Sequence, residues 1–285
     1  MHRWRNDYAT DCKSVSCRFE SCPVFQFLQS KDMKLFAAVL FCTVVSNVSA
    51  RTSEPTVLVY NINAQRTEQS QHADQVRSMA SVTKLMTAMV ALDHNRNLQQ
   101  TVMLGKHTGS RLPPGLYTRE QLLLAMLVSS DNGAAETIAQ DYPGGRSAFV
   151  AEMNRYARMW NLGDTKFVDP SGLGVFNVST ARDLVEMVQI AASYWFIQEA
   201  SGQSTIQLKK SDRTRGNTVN LIHTSRQLLA EFDRVAVSKT GFTNPAGWCV
   251  AMLVEQNKQQ YVVIVLGAST KLDRSAIIKK VFKNL

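Results

Sequence analysis

Three short groups of residues in this 285-residue chain could do chemistry together: Ser81-Val82-Thr83-Lys84, Ser130-Asp131-Asn132 and Lys239-Thr240-Gly241. The first places a hydroxyl and an amine three residues apart, a spacing that shares one helix face. A serine hydroxyl attacks a carbonyl readily only when a base takes its proton, and a lysine is a base only when neutral. Free lysine has a pKa of about 10.4, so Lys84 must be desolvated or crowded by another cation, and Lys239 is the natural crowding cation. Ser130 is then expected between the two amines, passing a proton to a leaving amine, while Asn132 holds a substrate amide. Backbone N–H groups of Ser81 and Phe242, at a helix start and a strand edge, are the candidates for an oxyanion hole. Gly241 lets a substrate backbone approach that edge closely.

Each group is ordinary by itself. An S-x-x-K arises by chance about once in a chain of this length and usually marks a helix start. Ser130-Asp131-Asn132 alone reads as a helix cap, and Lys239-Thr240-Gly241 as a surface turn. Their order, with placement at a helix N-terminus, a loop between helices and the end of a strand, is the combination found in class A β-lactamases and penicillin-binding proteins.

The elements that must position these residues can be read from periodicity. Thr56 to Tyr60 is a strand, and Ser81 opens a helix with Val82, Leu85, Met86 and Met89 at helical spacing. Leu122 to Val128 is apolar almost all round behind a Thr118 to Gln121 capping box, which predicts a buried helix. A further helix runs from Ser147 to a stop at Gly163, and another follows a Thr180 to Asp183 capping box. Three strand-like runs then follow in succession, Val235 to Val237, Trp248 to Val254 and Tyr261 to Leu266, before a last helix that begins near Asp273. Strand, helices, three strands and helix predict an α+β fold: one mostly antiparallel sheet built from both chain ends, an all-helical lobe, and a cleft between them.

Hydrophobic residues make up 45% of the chain and charged ones 19%, which favours a packed core over disorder. The net charge of +9 admits an anionic polymer, membrane surface or wall as partner without choosing among them. Lys34, the apolar run Leu35 to Val45 and Val48-Ser49-Ala50 have the layout of an export signal starting at Met33 and cleaved near Ala50. Residues 1–32 then read as an upstream extension from an early start, 33–50 as the signal, and 51–285 as one continuous domain. The balance from residue 51 onward is 26 basic against 19 acidic residues, or +7, and Cys249 is its single cysteine, so no internal disulfide is expected. Cys12, Cys17 and Cys22 lack a partner histidine for zinc, and Leu40-Phe41 before Cys42 are too bulky for a lipoprotein signal.

The likeness extends beyond the triplets. Met79 to Ala88, Phe167-Val168-Asp169-Pro170-Ser171-Gly172-Leu173, Asn177 to Leu184 and Lys239 to Asn244 all resemble segments of the serine D-alanyl-D-alanine carboxypeptidases and endopeptidases, the low-molecular-mass penicillin-binding proteins, over nearly all of 56–282. Tyr142-Pro143-Gly144-Gly145 and the Ser-Ser-acidic-Asn form of the second motif are most similar to the endopeptidase branch. The resemblance implies a β-lactamase/transpeptidase-like fold and an acyl-enzyme on Ser81 hydrolysed by water. It implies peptidoglycan peptides as substrates, β-lactam antibiotics as covalent inhibitors, and no cofactor, metal or nucleic acid. Catalytic roles fall to Ser81, Lys84 and Ser130. Substrate-binding roles fall to Asn132, Lys239, Thr240, Gly241 and Phe242, with Thr240 on the substrate carboxylate or carbonyl. The chain ends without the second β domain and amphipathic tail of many relatives, so a periplasmic protein with no stable membrane anchor is expected. Two departures stand out: Ser78 replaces a usual Pro, loosening the approach to Ser81, and Trp248 replaces a smaller or polar residue.

Two other readings compete. A class A-like β-lactamase needs a glutamate for the deacylating water, and no E-x-x-L-N occurs between Asn132 and Lys239. A non-catalytic penicillin- or wall-binding protein would not need every reacting group present. Arg274, in the first turn of the last helix, is expected to be solvated, and Asp131 to cap or orient its loop. Asn177-Val178-Ser179 forms a sequon that more simply caps a helix, and His72, His94, His107 and His223 lack metal-ligand spacing.

Overall fold

The computed structural model describes residues 54–95, 97–209, 218–283 and 285. The expected leader, 1–50, and its four cysteines lie outside the described residues. In chain order the strands are β1 (Thr56–Asn61), β2 (Arg66–Gln71), β3 (Arg77–Ser78), β4 (Thr101–Leu104), β5 (Gly115–Thr118), β6 (Val178–Ser179), β7 (Thr205–Lys209), β8 (Thr218–Ile222), β9 (Arg234–Thr243), β10 (Gly247–Gln256) and β11 (Gln259–Ala268). The helices are α1 (Lys84–His94), α2 (Arg119–Val128), α3 (Asn132–Gln140), α4 (Gly145–Met159), α5 (Ala181–Ala191), α6 (Trp195–Gly202), α7 (Arg226–Leu229) and α8 (Lys271–Lys283).

The main sheet is antiparallel with strand order β2-β1-β11-β10-β9, so both chain ends build it and β9 is an edge. Its central strands are unbroken apolar runs because both faces are covered. Val262, Ile264 and Leu266 of β11 join the core shared with the helical lobe, whereas Val263 and Val265 pack with Ile278 and Val281 of α8. The three predicted strands all form but extend further than their apolar stretches. As a result Lys239-Thr240-Gly241 lies inside β9, paired with Ala251, Val250 and Cys249, rather than at a strand end.

The helical lobe centres on α1, whose first seven residues, Lys84 to Val90, are all buried. Beside it, α2 begins with the predicted capping box, in which Thr118 accepts from the Gln121 N–H and Gln121 accepts from the Thr118 N–H. Only half of the predicted second box forms. Thr180 caps α5 by accepting the Asp183 N–H, but Asp183 Oδ2 turns away to accept from Thr165 and the Asp164 N–H. Helix α4 starts at Gly145, two residues before the expected Ser147, and ends at Met159, with Asn161 rather than Gly163 in the left-handed region (φ 55°). The lobe also carries three two-stranded pairs, β3-β6, β4-β5 and β7-β8. β3 and β4, like β2 with its polar run Arg-Thr-Glu-Gln-Ser-Gln, lack a clear buried alternation, so they leave no periodic signal, whereas β7 alternates over only five residues.

Candidate active site

Ser81 does not open the α-helix itself. It sits in a 3-10 turn, Ala80–Thr83, that feeds α1 at Lys84. Two features hold this turn in place. Ala80 takes a left-handed conformation (φ 48°), which costs a non-glycine residue of order 1–3 kcal/mol and persists only where the surroundings enforce it. Two glycines supply the enforcement by packing where a side chain could not. A Cβ on Gly241 would lie 2.8 Å from the Met79 carbonyl and 2.9 Å from the Ser81 nitrogen. A Cβ on Gly172 (φ +83°) would overlap the Ala80 carbonyl. The bare Cα of Gly241 therefore faces the turn that carries Ser81, which is the approach it makes possible here. Just upstream, Ser78 is paired in β3-β6 and the Met79 N–H donates to the Asn177 carbonyl at 3.1 Å, so the chain approaching Ser81 is tied down, not loosened.

Lys84 is fully buried with Nζ 2.8 Å from Ser81 Oγ and 2.7 Å from Asn132 Oδ1, and it also meets the Ser171 carbonyl. Burial drives its pKa down to about 7, against the opposing pull of Asp169, Asp131 and Glu136. Lys239 is equally buried, 2.9 Å from both Ser130 Oγ and the Thr240 carbonyl. Its pKa is held well below the ordinary range by burial first, then by the charges of Lys84, Arg274 and Arg111. Of the two expected causes, desolvation is the larger at Lys84, and burial also leads at Lys239, with the neighbouring cations adding to it. Ser130 bonds to Lys239, and the side chain that bonds to Lys84 from the second motif is Asn132. Ser130 itself is left-handed (φ 61°), as is Ala80 beside Ser81.

Asp131 caps α3 by accepting the Ala134 N–H at 2.8 Å, as expected of it, and also accepts the Arg111 and Leu112 N–H groups at 2.6 and 2.9 Å. Phe242 on the edge strand is exposed and stacks on Trp248, ring centroids 4.4 Å apart. Arg274 is not solvated: it is 1% exposed, donates from Nη1 to the Cys249 carbonyl at 3.1 Å and lies over the Trp248 ring.

Residues outside the three motifs complete the site. Asp169 Oδ1 and Oδ2 accept from Ser171 N–H and Oγ, Gly172 N–H, Gly174 N–H and Asn177 Nδ2, all within 2.6–2.8 Å. Burial would raise the Asp169 carboxyl, but these bonds outweigh it and hold it below the usual carboxylate range. Asn177 is wholly buried in the same loop, accepting the Val168 N–H at 3.0 Å, so it is neither an exposed sequon nor a helix cap. The segment Phe167 to Leu173 was legible only as a resemblance, since a carboxylate folded back on its own loop has no periodic signature. His223, behind Lys239, is also buried; burial and the Lys239 charge lower it to about 4, so it stays neutral near pH 7. Among the described residues no group of His, Cys, Asp and Glu could hold a metal, and no helix is long and apolar enough to cross a membrane.

The arrangement is a hydroxyl hydrogen-bonded to a desolvated amine, with a second hydroxyl on a second amine nearby. Comparison with known proteins agrees with this chemistry. Residues 44–270 match the family described as D-alanyl-D-alanine carboxypeptidase. The chain is 34% identical over 257 residues to the D-alanyl-D-alanine endopeptidase of Escherichia coli, covering 84% of this chain and 82% of that one. It is 36% identical over 227 residues to the D-alanyl-D-alanine endopeptidase of Pseudomonas aeruginosa, covering 75% and 71%. Its fold is similar to penicillin-binding protein D2 of Listeria monocytogenes in the cefotaxime-bound form, with a TM-score of 0.71 and 27% identity over 82% of this chain and 98% of that one.

Proposed function

The chain belongs to the D-alanyl-D-alanine carboxypeptidase family of serine-type D-alanyl-D-alanine peptidases, and from that membership we propose that it cuts D-alanyl cross-links in peptidoglycan through an acyl-enzyme on Ser81. The observation that carries this reading is the Lys84 amine, buried and 2.8 Å from Ser81 Oγ. Asn132 Oδ1 and the Ser171 carbonyl take two N–H bonds from a neutral amine. The remaining lone pair is left for the Ser81 proton.

In the proposed reaction Lys84 takes the Ser81 proton as Oγ bonds to the D-alanyl carbonyl carbon. Backbone N–H groups of Ser81 and Phe242 receive the oxyanion. As the C–N bond breaks, Ser130 gives its proton to the leaving amine and recovers one from the Lys239 ammonium, so one positive charge has moved from Lys239 to Lys84. Water then takes the amine's place. Its proton passes through Ser130 to Lys239, its oxygen attacks the ester, and Lys84 returns a proton to Ser81 Oγ. The two lysines thus carry one proton between them, a state favoured by their shared burial. Asn132 Nδ2 and Thr240 are assigned to the substrate amide and carboxylate or carbonyl.

The endopeptidase preference is supported by the two endopeptidase relatives and by Tyr142 to Gly145. The export signal supports a periplasmic protein, cleaved near Ala50. A β-lactam should acylate Ser81 in place of the peptide, a reading supported by likeness to a cefotaxime-bound penicillin-binding protein. Mass spectrometry after incubation with penicillin, followed by peptide mapping, tests the nucleophile: an adduct on Ser81 that vanishes in Ser81→Ala is expected, and no adduct anywhere would overturn the reading. Release of monomeric stem peptides from cross-linked dimers, set against release of terminal D-alanine from monomers, then separates endopeptidase from carboxypeptidase action.

A further inference from the structure

The segment from Gly105 to Pro114, between β4 and β5, carries Lys106, His107 and Arg111 and no carboxylate of its own. It is bound closely to the second motif. Asp131 accepts the Arg111 and Leu112 N–H groups, and Ser110 Oγ lies 3.2 Å from both Asp131 oxygens. The Asn132 N–H donates to the Gly109 carbonyl at 3.3 Å, and a Cβ on Gly109 would lie 2.5 Å from Asn132 Nδ2. The loop therefore presses on the side chain that bonds to Lys84.

Arg111 has a fixed backbone and an exposed side chain, and its guanidinium has no hydrogen bond or ion pair to any described residue; the same is true of the Lys106 amine. The one carboxylate that touches this loop, Asp131, spends its oxygens on N–H and O–H donors. The Arg111 charge is also felt at Lys239, where it is one of the cations that disfavour the ammonium form. An unpaired guanidinium beside other cations raises the electrostatic energy of the empty site, and an incoming carboxylate relieves it through a bidentate pair.

We propose that Arg111 is a specificity-determining residue that receives a carboxylate carried by the acyl-donor peptide, on the residue preceding the D-alanine whose carbonyl is attacked. The donor peptide is indicated because Asn132, the side chain this loop packs against, is the one assigned to the donor amide. Lys106 adds attraction at longer range and requires no fixed contact. The proposal rests on the peptidase reading above, and the test separates the two.

Two synthetic peptides ending in D-Ala-D-Ala are compared, one with a side-chain carboxylate on the preceding residue and one with that carboxylate amidated. Their dissociation constants are measured by calorimetry on the full chain carrying Ser81→Ala, which leaves recognition readable without turnover. The carboxylate form should bind at least tenfold more tightly. Adding Arg111→Gln should bring the ratio below about threefold, and Arg111→Lys should give an intermediate ratio, since it keeps the charge and loses the fork. Equal ratios with and without Arg111, or no discrimination in Ser81→Ala alone, would overturn the proposal. A chain with Ser81 intact that cleaves neither peptide, while the Ser81→Ala ratio depends on Arg111, would sink the peptidase reading and leave the recognition role standing.

Discussion

Asp169 Oδ1 accepts both the backbone N–H and the hydroxyl of Ser171, at 2.7 and 2.8 Å, and the carbonyl of that same Ser171 meets the Lys84 amine. A buried carboxylate thus positions an acceptor for Lys84, the proposed general base. In Asp169→Asn the amide brings an N–H where five donors converge, leaving buried groups unsatisfied at a cost of about 2 kcal/mol or more. The expected result is a lower melting temperature and Ser81 acylation slowed at least tenfold, read with a fluorescent penicillin. Acylation at the wild-type rate would remove Asp169 from this positioning role.

The Lys84 pKa near 7 sets a pH dependence. The reactive form is neutral, so acylation should rise about tenfold per pH unit below 7 and level off above it. The stability linkage has the matching sign. The folded pKa lies below the unfolded value of 10.5, so between about pH 7 and 10.5 the unfolded chain binds more protons. The Lys84 contribution is therefore fully present above pH 10.5 and lost as pH falls to 7. Lys84→Ala should fold and lose acylation by about 10²–10⁴-fold, and its residual rate should no longer follow that limb. A residual rate with the same inflection would assign the titration to another group.

Glycine substitutions separate close approach from mere flexibility. Gly241→Ala puts a methyl 2.9 Å from the Ser81 nitrogen, so β9 must move away from the nucleophile turn. Gly163→Ala meets nothing within 4 Å and has no left-handed φ to strain it. Acylation should fall tenfold or more in the first and stay within about twofold in the second, with Gly163→Ala as stable as the parent or slightly more so. Equal kinetics for the two variants would show that the β9 approach does not govern the site.

The capping box on α2 is local, and its loss should be too. Thr118→Ala removes the acceptor for the Gln121 N–H and should cost about 1 kcal/mol by denaturant unfolding, with acylation kinetics preserved. A loss of acylation out of proportion to stability would show that α2 is coupled to the Ser130 loop more tightly than its hydrogen bonds indicate.

Much of this was legible in the amino-acid order. The buried strands β10 and β11 are continuous apolar runs, α2 carries its cap in Thr118 and Gln121, and the three motifs fall in sequence on their elements. Short or polar elements such as β2 and β3 were not legible, because they bury too little for an alternation to be selected. Arg274 was misread for a related reason. A first-turn arginine is normally solvated, but this one is covered by β10 and Trp248, which are brought to it only by the sheet.

The sequence by itself determined the candidate hydroxyl, amine and amide groups, their order and the α+β frame, because side-chain chemistry and the periodicities of strand and helix are properties of residues close together in the chain. The tertiary structure decided which amine each hydroxyl meets, that Lys84 and Lys239 are both buried, and that Asp169 and Arg111 belong beside the motifs. Those outcomes depend on residues 48 to 109 positions apart brought within 3 Å, as in Lys84 with Asn132 and Lys239 with Ser130, and on the water excluded around them. Local spacing carries no information about either.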